Sequence, residues 1–169
     1  MEEGFEQFLA ARSAALFRTA LLLTGDPHAA DDLVQATFEK VCRKWGQVAR
    51  ADSPEAYVRR ILVNLVKDGR RDRSRHDLPL TEELVGGADP FRRTDQRDEL
   101  IRALHRLPLR MRTVLVLRYF DDFDAPAIAA LLGVSQATVR SQCARGLARL
   151  RAEVEAAGSL TSERGFGEA

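Results

Sequence analysis

Apolar residues recur three or four apart along most of the chain, and no alternating strand pattern of useful length interrupts them. A first helix is predicted from about Phe5 to Leu23, with Phe5, Phe8, Leu9, Leu16, Ala20 and Leu23 at helical spacing. Thr24-Gly25-Asp26-Pro27 ends it and begins the next: Gly25 suits a C-cap, Asp26 an N-cap and Pro27 the first helical position. The second helix runs to about Lys44 and is expected to bury Ala30, Val34, Phe38, Val41 and Trp45. Ser53-Pro54-Glu55 opens a third, which continues to about Arg71. Helices also follow over about Asp95–Arg106, from Pro108 through Met111–Phe120, and from Asp124-Ala125-Pro126. The expected fold class is all-α.

The pattern breaks once. Between Asp77 and Glu99 lie Pro79, Gly86, Gly87 and Pro90, with seven acids against only Arg92, Arg93 and Arg97. An acidic Pro/Gly stretch between periodic blocks reads as an exposed, flexible linker. The chain therefore divides into a helical bundle over 1–76, a linker over 77–94, and a second bundle over 95–156. The Gly-, Ser- and Glu-rich residues 157–169 are expected to fray as a disordered tail.

The most specific motif runs from Ala125 to Arg140. A short helix carries Ala129 where two helices must approach closely, and Gly133 can take the left-handed conformation of a tight turn. Val134 is expected to pack beneath that turn, and Ser135 to cap a long helix in which Val139 faces the core. Together these features make a helix-turn-helix. At about 100° per residue, Val139, Cys143, Leu147 and Leu150 fall on one side of the last helix, which should be the core. Ala137, Thr138, Ser141, Ala144, Arg145 and Ala148 fall opposite, flanked by Arg140 and Arg149. Small residues would admit this helix to a major groove. Ser141 and Arg145 could then reach base edges, while the flanking arginines and the Thr138 hydroxyl suit phosphates.

A second basic face lies on the third helix. From Arg59 to Arg75 there are seven basic residues (Arg59, Arg60, Lys67, Arg70, Arg71, Arg73, Arg75) against Asp68 and Asp72. Asn64 is a lone amide within the apolar run Ile61–Val66, near Arg60 and Lys67 by helical spacing. Such an amide can cap, bond locally or read a base. The second helix shows a polar stripe at Asp32, Gln35, Glu39 and Arg43, which spacing alone leaves as an ordinary solvated face.

Charge sharpens this picture, because 26 basic and 25 acidic side chains leave a net charge of only +1. Basicity is concentrated on two faces and is no general property of the chain, unlike that of a histone-like protein. No stretch approaches the ~18 apolar residues of a membrane-spanning helix, and Met1-Glu2-Glu3-Gly4 is acidic where a signal peptide would be basic. Cys42 and Cys143 lack CxxC partners and read as small buried hydrophobes in a reducing cytosol. His28, His76 and His105 are scattered, so no metal site, cofactor or catalytic residue is expected. The expectation is a soluble, cytoplasmic protein that is not an enzyme and does not insert into a membrane.

Four ordered motifs then resemble a family. Asp32-Leu33-Val34-Gln35-Ala36-Thr37-Phe38, Tyr57-Val58-Arg59-Arg60-Ile61-Leu62-Val63-Asn64, Leu107-Pro108-Leu109-Arg110-Met111-Arg112 and Gly133-Val134-Ser135…Thr138-Val139-Arg140-Ser141 are similar, in order, to bacterial RNA polymerase sigma factors. The two-block length resembles the extracytoplasmic-function (ECF) group. On this resemblance 1–76 is a region 2-like domain and 95–156 a region 4-like domain.

The resemblance implies partners and roles. Asp32 and Gln35 would contact the clamp helices of the polymerase β′ subunit, with Phe38 supporting them from the core. The third helix and the loop before it (Gly46–Ser53) would melt and read the −10 promoter element, Asn64 matching the base-contacting Asn of the R-I-x-x-N pattern. Arg60, Lys67, Arg70 and Arg71 would hold phosphates. The helix-turn-helix would read the −35 element through Arg140, Ser141 and Arg145, with Thr138 and Arg149 alongside. Core RNA polymerase, through its β′ clamp helices and β flap, promoter DNA and an anti-sigma factor are the implied partners, and the linker would thread toward the RNA-exit path.

Gln142 and Gly146 depart from the family's usual Arg and Ala, and Pro126 and Ala127 stand where acidic or polar residues are usual. A helical glycine costs about 1 kcal/mol relative to Ala. The rival readings are a stand-alone helix-turn-helix regulator, an enzyme and a helical adaptor. A regulator of that kind binds as a symmetric dimer and needs no second basic block. An enzyme would need a phosphate loop or a nucleophile–base pair that the chain lacks. An adaptor would not need two acid-poor arginine faces.

Overall fold

Start and stop signals act where the sequence places them. In the computed structural model, which describes residues 2–75 and 95–164, α1 (Glu2–Thr24) closes at Gly25, whose φ is +75° and whose N–H donates to the Leu21 carbonyl at 2.8 Å. The Asp26 carboxylate then accepts from the Ala29 N–H at 3.0 Å, and Pro27 opens α2 (Pro27–Arg43). The stretch expected as a loop after α2 winds into a short helix, α3 (Trp45–Ala49). Trp45 is half-buried against Phe5 and Phe8, with ring centroids 5.5 and 5.4 Å away. Ser53 accepts from the Ala56 N–H at 3.2 Å and starts α4 (Pro54–Arg75). Residues 76–94, which include the expected linker 77–94, lie outside the described residues.

The second half contains α5 (Asp95–His105), α6 (Leu109–Leu115), α7 (Ala125–Leu132) and α8 (Gln136–Arg164). The helix expected over 111–120 is not uniform. It widens into a π-helical segment at Val116–Phe120, where the Asp121 N–H donates to the Val116 carbonyl at 3.1 Å. Asp124 caps α7 through the Ala127 N–H at 2.9 Å. Gly133, at φ +67°, forms the left-handed turn, and the Val134 N–H closes it onto the Ala129 carbonyl at 3.0 Å. Val134 does not pack beneath the turn as expected. The reversal at Gly133 turns its side chain outward, leaving it 41% exposed. Ser135 accepts from the Thr138 N–H at 3.1 Å and caps α8. That helix continues through Arg164, past the Ala157 boundary at which fraying was expected.

Among the described residues all regular structure is helical, in two bundles. The bundles are packed together and share one hydrophobic core, running from Leu16 and Leu23 through Leu62 to Leu104, Leu117, Ile128 and Val139. The end of α1 explains this continuity. Thr19 to Leu23 are buried without interruption, and a helix apolar all round must be covered on every side. One side of α1 meets α2 and α4, and the other meets α5, α6 and the π-helical segment.

Candidate functional site

The predicted basic face of α4 is present. At about 100° per residue Arg60, Asn64, Lys67 and Arg71 fall within one narrow stripe, with Arg60, Asn64 and Arg71 exposed and Lys67 half-exposed. Opposite them Val58, Ile61 and Leu62 are buried. Asn64 makes no side-chain hydrogen bond among the described residues, which leaves its paired donor and acceptor open. Arg70 falls outside the stripe. It is exposed at the edge of that face.

On α2, Asp32 and Gln35 are exposed, and Phe38 is half-buried against the core. Gln35, Val34 and Phe38 share an open groove with Phe5, Leu9 and Cys42. Buried Thr37, whose hydroxyl donates to the Leu33 carbonyl at 2.7 Å, anchors the inner face of the helix. Cys42 is exposed, contrary to the expected buried position, because the last turn of α2 presents it at the edge of that groove.

On α8, Thr138, Arg140, Arg145 and Arg149 are exposed, whereas Ser141 is half-buried. The Thr138 hydroxyl lies 2.8 Å from that of Ser135, so it belongs to the helix cap as well as to the outer face. Of the residues expected in the core on this helix, only Val139 is fully buried. Cys143 and Leu147 line an open groove with Arg118, Tyr119 and Ala125, and burial raises the Cys143 thiol pKa while the Arg118 charge opposes it. Gly146 has a structural reason. A Cβ there would stand 3.1 Å from two atoms of the Leu115 side chain, so the glycine lets α8 press close to α6.

Two polar clusters between the halves were not anticipated. Asp121, after the π-helical segment, accepts from Arg59 Nε at 3.1 Å and Nη2 at 3.2 Å, and its carboxylate oxygens lie 2.7 and 3.0 Å from the Thr19 hydroxyl. The Arg59 and Asp121 side chains are 8% and 6% exposed. Arg112 is buried and donates to the carbonyls of Leu23 (2.6 Å), Leu104, His105 and Leu107 (3.0 Å each). Its one guanidinium thus closes the C-terminal ends of both α1 and α5. Burial first, and then the charge of Arg70, lower its pKa to about 10, so it remains a cation at neutral pH. The signal for these clusters in sequence is faint: Arg59 and Arg112 each stand close to another arginine, Arg60 and Arg110, and nothing in the pattern marks which of each pair is buried.

Among the described residues no group of His, Cys, Asp or Glu could hold a metal ion, and no helix is long and apolar enough to cross a membrane.

The family model for sigma-70 region 2 matches residues 9–76, and that for sigma-70 region 4 matches 97–150. An RNA polymerase sigma-E factor of Streptomyces avermitilis is 35% identical over 153 residues, covering 89% of this chain and 85% of the relative. The chain belongs to the sigma-70 family of RNA polymerase sigma factors. Within it the ECF group is indicated by an ECF RNA polymerase sigma factor SigM of Mycobacterium tuberculosis, 30% identical over 87% of this chain and 75% of the relative. A crystal structure of the sigma factor RpoE of Bartonella quintana, in complex with the anti-sigma factor NepR, matches with a TM-score of 0.80 at 25% identity. That match covers 90% of this sigma factor and 98% of the other chain, so it spans both bundles. The sigma factor directs transcription initiation with core RNA polymerase, and its two bundles are the family's region 2 and region 4 domains.

Proposed function

We propose that the two exposed faces divide promoter recognition between them, with the α2 surface holding the polymerase. Asn64 reads a −10 base, and Arg60, Lys67 and Arg71 hold the phosphates beside it, with Arg70 at the edge of the stripe. On α8, Arg140, Ser141 and Arg145 read the −35 duplex from the major groove, while Thr138 and Arg149 take its phosphates. Asp32 and Gln35 bind the β′ clamp helices, and the groove at Phe38 receives apolar side chains from the same partner. The β flap and an anti-sigma factor complete the set of protein partners. The sigma factor performs no chemistry of its own, and its place is the cytoplasm, with the polymerase.

The observation that carries this reading is the stripe on α4. An exposed amide, bonded to no described residue, stands between three cations on the outer face of a helix whose inner face is sealed. Such an arrangement suits capture of a base from an opening strand, whereas a capped helix-turn-helix suits an intact duplex. Joining the two on one chain lets modest affinities combine through effective concentration.

The test is transcription in vitro by purified core polymerase on fragments of the source genome, with and without the protein. Expected are new start sites that share two spaced elements. If the protein fails to associate with core polymerase and yields no new starts, the assignment falls and a stand-alone helix-turn-helix regulator takes its place.

A further inference from the structure

We propose that Thr19, Arg59 and Asp121 form an intrachain latch that holds the two DNA-binding halves closed, and that releasing it is a required step of promoter engagement. The inference rests on the two-element reading above. Thr19 and Arg59 belong to the first half and Asp121 to the second, separated in sequence by 102 and 62 positions. All three are withdrawn from water, and both carboxylate oxygens are engaged by the guanidinium and the hydroxyl. These bonds exist only while the halves are together, since neither half contains both partners.

Dimensions make the closed arrangement incompatible with simultaneous binding of both elements. Elements at −10 and −35 lie about 25 base pairs apart, which at about 3.4 Å per base pair is roughly 85 Å. A compact body of this chain length has a radius of gyration of about 15 Å and a diameter of about 40 Å. The α4 stripe and the outer face of α8 therefore cannot meet both elements at once until the halves separate.

A bidentate ion pair suits this role better than a further apolar contact. It fixes one relative orientation, and on opening its two charges regain their hydration, so a directional contact is held without a deep energetic well. Polymerase binding to the open form then selects that form from the equilibrium.

The test is small-angle scattering of the full chain, with far-UV circular dichroism as the control for folding. Arg59→Met and Asp121→Asn each leave one buried charge unpaired, and each should raise the radius of gyration by at least about 3 Å at unchanged helix content. The double variant Arg59→Met/Asp121→Leu replaces the ion pair by apolar side chains and should return to the wild-type radius. Should a charge variant lose helix, Thr19→Val removes one hydroxyl while keeping the shape, and should still expand the chain. In assembly with core polymerase on a two-element promoter, the single variants should reach half-saturation at about tenfold lower concentration, because the competent state is no longer a minor one. Wild-type radii in every folded variant would overturn the latch, and so would expansion without any gain in promoter assembly. A wild type that never associates with core polymerase would sink the sigma reading instead, and scattering alone would then decide whether the latch exists.

Discussion

Replacing Arg112 by Met should be among the most damaging single changes in the chain. The side chain donates to four carbonyls, but they are not equal. The Leu104 carbonyl also accepts from the Leu107 N–H at 3.0 Å, and His105 is an exposed residue whose carbonyl water can reach. The carbonyls of Leu23 and Leu107 belong to residues only 1% and 2% exposed, and they lose the guanidinium with no solvent to replace it. At about 1–3 kcal/mol for each buried acceptor left unpaired, the loss is roughly 2–6 kcal/mol, with about 3–4 the central expectation after Met refills part of the space. Against a total stability of about 5–15 kcal/mol, that is a large fraction.

Urea unfolding followed by two probes gives the measurement its resolution. Trp45, the one tryptophan, reports on the first half through its contacts with Phe5 and Phe8, whereas far-UV circular dichroism reports on every helix. In the wild type the two transitions should coincide, because the halves share one core. Arg112→Met should pull them apart, since the Leu23 bond is the one that crosses between halves. Arg112→Lys, with its compact ammonium, cannot reach acceptors on both α1 and α5 and should cost about 1–3 kcal/mol. Because the folded-state pKa of Arg112 lies below its ordinary value, the penalty for burying its charge is present below about pH 10 and relaxes only as pH rises above that. Stability near neutral pH is therefore insensitive to its titration. A loss under about 1 kcal/mol for Arg112→Met, with coincident transitions, would show that these bonds are dispensable and refute the reasoning.

Three further changes test other parts of the molecule. Gly146→Ala gains about 1 kcal/mol of helix propensity but brings a methyl to 3.1 Å from the side chain of Leu115, which is 1% exposed and must shift to admit it. Overpacking of about 1–3 kcal/mol should outweigh the gain, and an increase in the urea midpoint would show that Leu115 yields. Asn64→Ala should abolish −10-dependent transcription while melting temperature and core-polymerase affinity stay unchanged, because the amide is exposed and bonded to no described residue. Transcription at the wild-type level would remove it from the site. Asp32→Ala with Gln35→Ala should weaken association with core polymerase in a pull-down while shifting stability by less than about 0.5 kcal/mol. Retention of the wild-type affinity would leave that stripe as a solvated surface.

What could be read from sequence was chemistry confined to a few neighbouring residues. Asp26 before Pro27, Ser53 before Pro54, and Asp124 with Pro126 mark helix starts because one side-chain oxygen and one missing N–H suffice to specify them. Gly133 marks the turn because its positive φ excludes almost every other residue. What escaped was decided at a distance. The π-helical widening at Val116–Phe120 leaves no composition signal, and Gly146 looks like a defect until Leu115 is placed against it. Charge alone places Arg59 among the cations of a nucleic-acid face, yet it is 7% exposed and belongs to the contact between halves. A signal for that contact did exist. Leu21-Leu22-Leu23 fills every side of the last turn of α1, and such a turn cannot end at the surface of a lone bundle.

That turn also shows why the polar contacts sit where they do. The apolar end of α1 draws the halves together by burial, but burial is non-directional and would tolerate many relative orientations. Asp121 and Arg112 each reach across from the second half to a fixed atom of the first, Arg59 Nε and the Leu23 carbonyl, and so select one orientation. The two differ in what separation would cost. Arg112 keeps its acceptors on Leu104, His105 and Leu107 when α1 departs, so it remains a structural part of region 4. Asp121 loses the Arg59 and Thr19 partners together and gains only water, which makes it the group through which a mutation, or a partner competing for Arg59, would most directly shift the balance between closed and open chains.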